Sequence, residues 1–249
     1  MKNYKTVVKE RYNQQKYNSS SILNNIYAPI NTTGFYGELK ANQILFEFIN
    51  MLYSQKEDLH KIKVCDCGCG DGIKTRFMAE LLGKSDQVFG MEYSENRLKH
   101  CKEMNNCIHY KYGDLTKEIP FDVKFDGVTA FVVFMHFNSH TEIRSALKNI
   151  YHSLNRKGLF LWYEVSAENH WDGRKKLVDG WGFSENQMDG YALEAGFKLV
   201  RHYGVYPRIP IINKSTGYLI NNIKNLWIME LLEKFPLKKN NFVRIYCKE

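Results

Sequence analysis

Residues 64–72 read Val-Cys-Asp-Cys-Gly-Cys-Gly-Asp-Gly, with three cysteines and three glycines in nine positions. Two chemistries compete for such a stretch: metal or redox work on the cysteines, or nucleotide binding on the glycines. Cys65, Cys67 and Cys69 alternate, so on a strand the first two share a face. Zinc sites use C-x₂₋₄-C pairs with a second pair elsewhere. Here Cys101, Cys107, Cys247 and the histidines form no such second pair, and no C-x-x-C redox motif is present. Cys65 and Cys67 therefore read as small apolar strand residues packed beneath a sheet, and no metal site is expected.

The glycines read differently. Asp66-x-Gly68-x-Gly70-x-Gly72 follows a short apolar strand and opens a helical pattern. An open α/β sheet binds nucleotides there, outside the carboxyl end of its first strand. Glycine reaches backbone conformations closed to other residues and lets a ligand approach the main chain. A dinucleotide loop, G-x-G-x-x-G, would need a third glycine where Ile73 stands. A phosphate-binding G-x-x-x-x-G-K-[ST] loop fails at Ile73 when started from Gly68, and at Thr75 when started from Gly70. Roughly twenty residues beyond the loop an acidic side chain is wanted for ribose hydroxyls, and Glu92 stands there in "VFGMEYS".

The elements that must position these residues follow from periodicity. From Gly37, Leu39, Ile44, Leu45, Phe48, Ile49 and Leu52 recur at helical spacing. Strands are expected at 61–67, 87–94, 108–115, 125–134 and 159–166, and helices at 74–84, 95–104 and 140–158, the last with Gly158 near its end. The run "FDGVTAFVVF" is almost wholly apolar, as a strand buried on both faces should be. Beyond it, a helix at 184–197 with Ser184 as cap, a strand at 198–207, a helix at 217–235 and a closing strand at 241–249 complete the pattern. Strands alternating with helices imply βαβ units and a parallel sheet.

The D-x-G-x-G-x-G loop resembles the first motif of the class I S-adenosylmethionine-dependent methyltransferases, in which "VCDCGCGDG" corresponds to "VLDLGCGTG". Further pieces follow in order: "VFGMEYSENRL", "YGDL" at 112–115, "FDGV" and "FVVFMHF" on the fourth strand, "SLNRKGLFLW" before the fifth, and "EAGFKLV" before the sixth. The resemblance covers residues 64–165 well. It implies an α/β, Rossmann-like three-layer sandwich whose seven-stranded sheet is mostly parallel with the last strand antiparallel. It further implies one domain over 1–249: an N-terminal lid or helical segment at 1–50 and a core at 61–249 with insertions at 166–184 and 208–238.

The cofactor implied is S-adenosylmethionine, with S-adenosylhomocysteine as product. Asp66 would accept from the cofactor's ammonium, directly or through water, and Gly68, Cys69, Gly70 and Gly72 would wrap its methionine part. Glu92 would take the ribose hydroxyls and Tyr93 would lie against the adenine. Asp114 and the backbone of Leu115 would meet the adenine amino group. Phe131 would border the cleft, and Tyr36, with Tyr27 and Phe35, would close a lid over it.

The methyl acceptor leaves a partial trace. Enzymes that methylate amino groups of nucleic-acid bases or glutamine carry [DN]PP[YF] after the fourth strand, and "AFVVFMHF" has neither the prolines nor the Asp or Asn. The expected acceptor is a small polar molecule methylated on oxygen: a sugar, a phosphate-containing compound or another metabolite, in a bacterial surface-glycan or secondary-metabolite pathway. His136 is the candidate base, because imidazole titrates near neutrality. Tyr163 and Glu164 at the end of the fifth strand are candidates for acceptor contact, with His140, His170 and Trp171 nearby in the sequence. Two alternatives stay open: an RNA methyltransferase, and a non-catalytic cofactor-binding partner of another methyltransferase.

Composition bounds these readings. The 249 residues, 44% hydrophobic, suit one domain with a substantial core. The net charge of +8 is spread along the chain, its densest clusters being "RKK" at 174–176 and "KK" at 238–239, which points away from a nucleic-acid surface. The polar first twenty residues and the lack of a long apolar run lead to the expectation of a cytoplasmic protein without a membrane span.

Overall fold

The computed structural model describes residues 10, 32–56, 58–166, 176–177, 180–207, 226–235 and 239–249. Its centre is a seven-stranded sheet in the order β3-β2-β1-β4-β5-β9-β8. The strands are β1 (Val64–Cys67), β2 (Val88–Glu92), β3 (His109–Tyr112), β4 (Phe125–Phe131), β5 (Leu154–Val165), β8 (Phe197–Pro207) and β9 (Lys239–Lys248). A small hairpin, β6 (Lys176–Leu177) and β7 (Gly180–Trp181), stands apart. Strands β1 to β5 pair in parallel, and β9, the last, runs antiparallel to both β5 and β8. This is the Rossmann-like sheet that the motif pattern implied.

Helices cover both faces. On one lie α1 (Thr32–Lys56), α2 (Ile73–Leu82) and α3 (Glu95–Met104). Beyond Lys40, the buried residues of α1 fall at 41, 44, 45, 48, 49 and 52, one stripe of a 3.6-residue helix, and pack on Val64, Leu161 and Ile245 of the sheet. Gly127 of β4 permits this approach: a Cβ there would lie 2.7 Å from Leu52 and 2.9 Å from Phe48. On the other face, α4 (His140–Ser153) and α5 (Glu185–Glu194) bury Ile143, Leu147, Ile150 and Met188 against Phe160 and Trp162. Cys65 and Cys67 are buried in that second cluster, as small strand residues. A further helix, α6 (Leu226–Glu233), reaches α1 through the Lys40–Glu233 ion pair.

Two boundaries differ instructively from the periodicity. The helix expected to run to Gly158 stops at Ser153, and β5 begins at Leu154 by pairing with Phe125. Gly158 is therefore a strand residue, and the positive φ of 64° falls on Lys157 at the irregularity in that pairing. The N-terminal helix begins at Thr32, five residues before Gly37. At α5 the cap holds: Ser184 and Gln187 form a reciprocal capping box.

Candidate functional site

The chain order reverses between β1 and β4, and ligands of open α/β sheets bind outside the strand ends at such a point. Gly68, Gly70 and Gly72 occupy that position with φ of 73°, 57° and 74°. All three lie in the left-handed region, where a side chain is strained. A Cβ on Gly68 would also sit 2.6 Å from Val133 Cγ2, so the β4 end closes directly over the loop.

The loop's hydrogen bonds distinguish between ligands. The amides of Gly68 and Cys69 both donate to the carbonyl of Met91, at 2.8 and 3.0 Å. Gly70 N–H donates to Glu92 Oε2 at 2.9 Å, and Gly72 N–H to the Cys69 carbonyl at 2.9 Å. A phosphate-binding loop turns such amides towards its anion. Here four of them are committed to β2 and to the loop itself, so this turn is shaped for a ligand other than a pyrophosphate.

Asp66 is 1% exposed, and its carboxylate pins three elements. Oδ2 accepts from Thr75 Oγ1 of α2 at 2.7 Å, and Oδ1 from Thr129 Oγ1 of β4 at 2.8 Å. Burial pushes the carboxyl up to about 6, opposed by the two hydroxyl bonds and by the nearby Lys74. Thr75 and Thr129 escaped the sequence reading. The available signal was a lone hydroxyl in the apolar run of β4, in register with Asp66 on β1.

Glu92 ends β2, its carboxylate accepting from Gly70 N–H and from Ser94 N–H at 2.7 Å. Burial raises its pKa, and the backbone bonds partly offset this. The Tyr93 amide bonds this carboxylate as well; an ionised carboxylate has about four acceptor directions, so a direction is left for a ligand hydroxyl. Tyr93 follows, its ring stacked on Tyr112 with centroids 5.7 Å apart. Asp114, beyond β3, accepts from the amide and hydroxyl of Thr116 at 3.0 and 2.7 Å. The neighbouring Leu115 is buried, and its carbonyl accepts from Asn149 Nδ2 at 2.8 Å. Asp66, the glycine loop, Glu92, Tyr93, Asp114 and Leu115 thus gather at the carboxyl ends of β1, β2 and β3.

The end of β4 forms the other wall. Phe131 is half-buried and tilts against Tyr163, ring centroids 5.5 Å apart. Val132 has φ of 57°, a left-handed backbone at a β-branched residue, and its N–H donates to the Tyr163 carbonyl at 2.8 Å. The reversal starts a 3₁₀ turn, Phe134–His136, which ends on the half-buried His136. The hairpin residues Gly180–Trp181 pack on this turn.

Tyr163 faces the α1 layer, and its hydroxyl accepts from Asn241 Nδ2 at 2.9 Å. Glu164 faces the opposite way, with Trp162, and is 0% exposed. Glu164 was expected to touch the acceptor; alternation turns it away from Tyr163, and it is wholly buried beneath the Phe134–His136 turn. Its carboxyl is pushed up to about 8 by burial.

Tyr36 is buried within α1, with Lys40 Nζ 5.4 Å from its ring centre, and Phe35 is exposed. Both belong to a helix packed as one layer of the sandwich. α1 is tied to the helix after the glycine loop, since Lys74 of α2 donates to Glu38 and, at 2.9 Å, to Asn42. His140 begins α4 and contacts the Tyr191 hydroxyl. Tyr27, His170 and Trp171 lie outside the described residues. Among the described residues no group of three or more His, Cys, Asp or Glu is placed to hold a metal ion, and no helix is long and apolar enough to cross a membrane.

Comparison with known proteins agrees with this geometry. Residues 64–158 match the family model described as a methyltransferase domain. No curated protein matches the chain. Among solved structures, magnesium protoporphyrin IX methyltransferase of Synechocystis PCC 6803, crystallised with S-adenosylmethionine, is similar at a TM-score of 0.64 and 14% identity, covering 100% of this chain and 99% of that one. A TehB-like S-adenosylmethionine-dependent methyltransferase of Corynebacterium glutamicum is similar at 0.54 and 14% identity, covering 88% and 98%. An amino pentose methyltransferase of Micromonospora echinaspora, involved in calicheamicin biosynthesis, is similar at 0.52 and 14%, covering 82% and 89%.

The methyltransferase-domain match covers residues 64–158, less than half of the chain, and the fold is the one these methyltransferase structures share. The comparisons support an S-adenosylmethionine-dependent methyltransferase, and the similar magnesium protoporphyrin IX methyltransferase is crystallised with S-adenosylmethionine and with S-adenosylhomocysteine.

Proposed function

We propose that the enzyme methylates a hydroxyl of a small polar acceptor and that His136 takes the hydroxyl proton. S-adenosylmethionine carries its methyl group on a sulfonium, so the bound cofactor supplies the electrophile. The protein has to position, shield and deprotonate. In this reading the loop of Gly68, Cys69, Gly70 and Gly72 backs the methionine part of the cofactor. Asp66 supplies negative charge to its ammonium through water. Glu92 accepts from the ribose hydroxyls while holding Gly70 in place. The Tyr93–Tyr112 pair flanks the adenine, with Asp114 and Leu115 at its amino group. Phe131 and Tyr36 form the cleft wall, and Tyr163 lines the acceptor side.

The observation that carries the proposal is the turn after β4. It lies against the glycine loop through Val133, holds His136, and is covered by Gly180–Trp181. A covered turn suits a small acceptor better than a polymer, and the absence of a [DN]PP[YF] sequence there argues against base-amino chemistry. Two of the similar structures carry names of small-molecule methyltransferases, for a porphyrin and for an amino pentose. In this reading the chain is one domain.

The test is transfer of tritiated methyl from S-adenosylmethionine to a panel of monosaccharides, hydroxy acids, phenols, amines and bulk RNA. The expected result is label on a hydroxyl compound, lowered about 10²–10⁴-fold by His136→Asn. Label confined to amines or RNA, or a His136→Asn enzyme as active as wild type, overturns the proposal.

A further inference from the structure

The 3₁₀ turn that ends on His136 lacks a side-chain cap of its own. Its first flanking residue is Val133, which has no side-chain oxygen to offer the turn's leading amides. Helix starts leave such amides without intrahelical partners. Two of them are met from another strand: the Phe134 and Met135 amides both bond the Glu164 carboxylate, Met135 N–H donating to Oε2 at 3.2 Å.

Glu164 is otherwise committed to its own strand. Oε1 accepts from Val165 N–H at 3.1 Å, and Oε2 lies 3.5 Å from Trp162 Nε1. No part of the residue reaches solvent. A buried carboxyl held by neutral donors is costly to keep, yet this one stands beneath the turn that carries the base. The apolar side of the same turn is fixed separately: Phe134 packs on Trp162 with ring centroids 4.3 Å apart. Backbone and side chain of the turn are thus held by two nearby groups of β5.

We propose that Glu164 is a positioning residue: by capping the Phe134–His136 turn through Met135 N–H, it fixes the place of the His136 imidazole without touching acceptor or cofactor. The functional weight of this contact rests on the reading of His136 as the base, whereas the contact itself can be tested independently of that reading.

The experiment is a ¹³C–¹H spectrum of histidine-labelled full-length protein, in which His136→Asn assigns one of the eight histidine signals. Glu164→Met removes the acceptor at nearly constant size, and Glu164→Asp withdraws it by one carbon. Both should displace or broaden the His136 ring signal and change its titration midpoint, leaving signals of His60, His100 and His109 in place. Glu164→Gln keeps an acceptor oxygen and should restore the wild-type His136 signal. S-adenosylhomocysteine affinity should change less than twofold in Glu164→Gln and Glu164→Asp. A His136 signal unmoved in both Glu164→Met and Glu164→Asp overturns the inference, as does a signal as displaced in Glu164→Gln as in Glu164→Met. Should His136→Asn retain full turnover, the assignment of the base fails, while the spectra still decide whether Glu164 holds the turn.

Discussion

Asp66→Asn separates what this carboxylate does for the fold from what it does for the ligand. Burial pushes the wild-type carboxyl up to about 6 from 3.8 for the free group. A shift of about 2 units is worth ~3 kcal/mol. The sign follows from linkage: the folded carboxyl holds its proton more tightly than the unfolded one. The stabilising contribution of the protonated form is whole below pH 3.8, declines as the unfolded chain releases its proton, and is lost once pH passes about 6. Asparagine is neutral throughout and nearly isosteric. Its amide can accept from one of Thr75 and Thr129 and donate to the other, since each hydroxyl does both. Allowing about 1 kcal/mol for weaker hydrogen bonds, the variant should be more stable than wild type by roughly 2 kcal/mol at pH 8. At roughly 2–4 °C per kcal/mol for a chain of this size, the melting temperature should rise by about 4–8 °C. The advantage should vanish near about pH 4.5 and reverse to a deficit of about 1 kcal/mol well below pH 3.8, so circular dichroism melts of both proteins at several pH values give the test. In the same samples, affinity for S-adenosylhomocysteine should fall at least about tenfold. A variant less stable than wild type at pH 8, or an advantage that does not vary with pH, would refute the argument that this group is kept charged at the expense of stability.

Other substitutions probe the two walls of the cleft. Gly68→Ala combines a left-handed φ with a Cβ 2.6 Å from Val133; it should cost about 1–3 kcal/mol and abolish the thermal response to S-adenosylhomocysteine, as differential scanning fluorimetry would report. Val132→Gly removes a β-branched side chain from φ of 57°; the folded state should gain about 1 kcal/mol from relief of strain, read in urea unfolding, while turnover falls because the turn carrying His136 is looser. An unchanged turnover would show that the strain at Val132 has no part in the chemistry.

The glycine loop was legible because its information is local. The spacing of Gly68, Gly70 and Gly72 by itself rules out two phosphate loops, and the committed amides of that loop give the physical reason. Glu92 was legible because it lies at the end of a short apolar strand at the expected distance. Features set by pairing between distant segments were less so. The start of β5 at Leu154 depends on Phe125, about thirty residues earlier, and no local periodicity marks it. Alternation told that Tyr163 and Glu164 face opposite ways but not which way, and only the packing of α4 and α5 decides it. The left-handed Val132 runs against the preference of its residue type, as strained positions beside functional sites do.

The central claim, a cleft for S-adenosylmethionine built on Gly68–Gly72 and Glu92, is tested most directly by thermal unfolding with S-adenosylhomocysteine and with NAD. Ligand at ~100 times its dissociation constant contributes about 2.7 kcal/mol, which for a chain of this size is a rise of roughly 5–10 °C. A rise of that size with S-adenosylhomocysteine and none with NAD is the predicted result. No rise with the former, or an equal rise with both, would contradict the account.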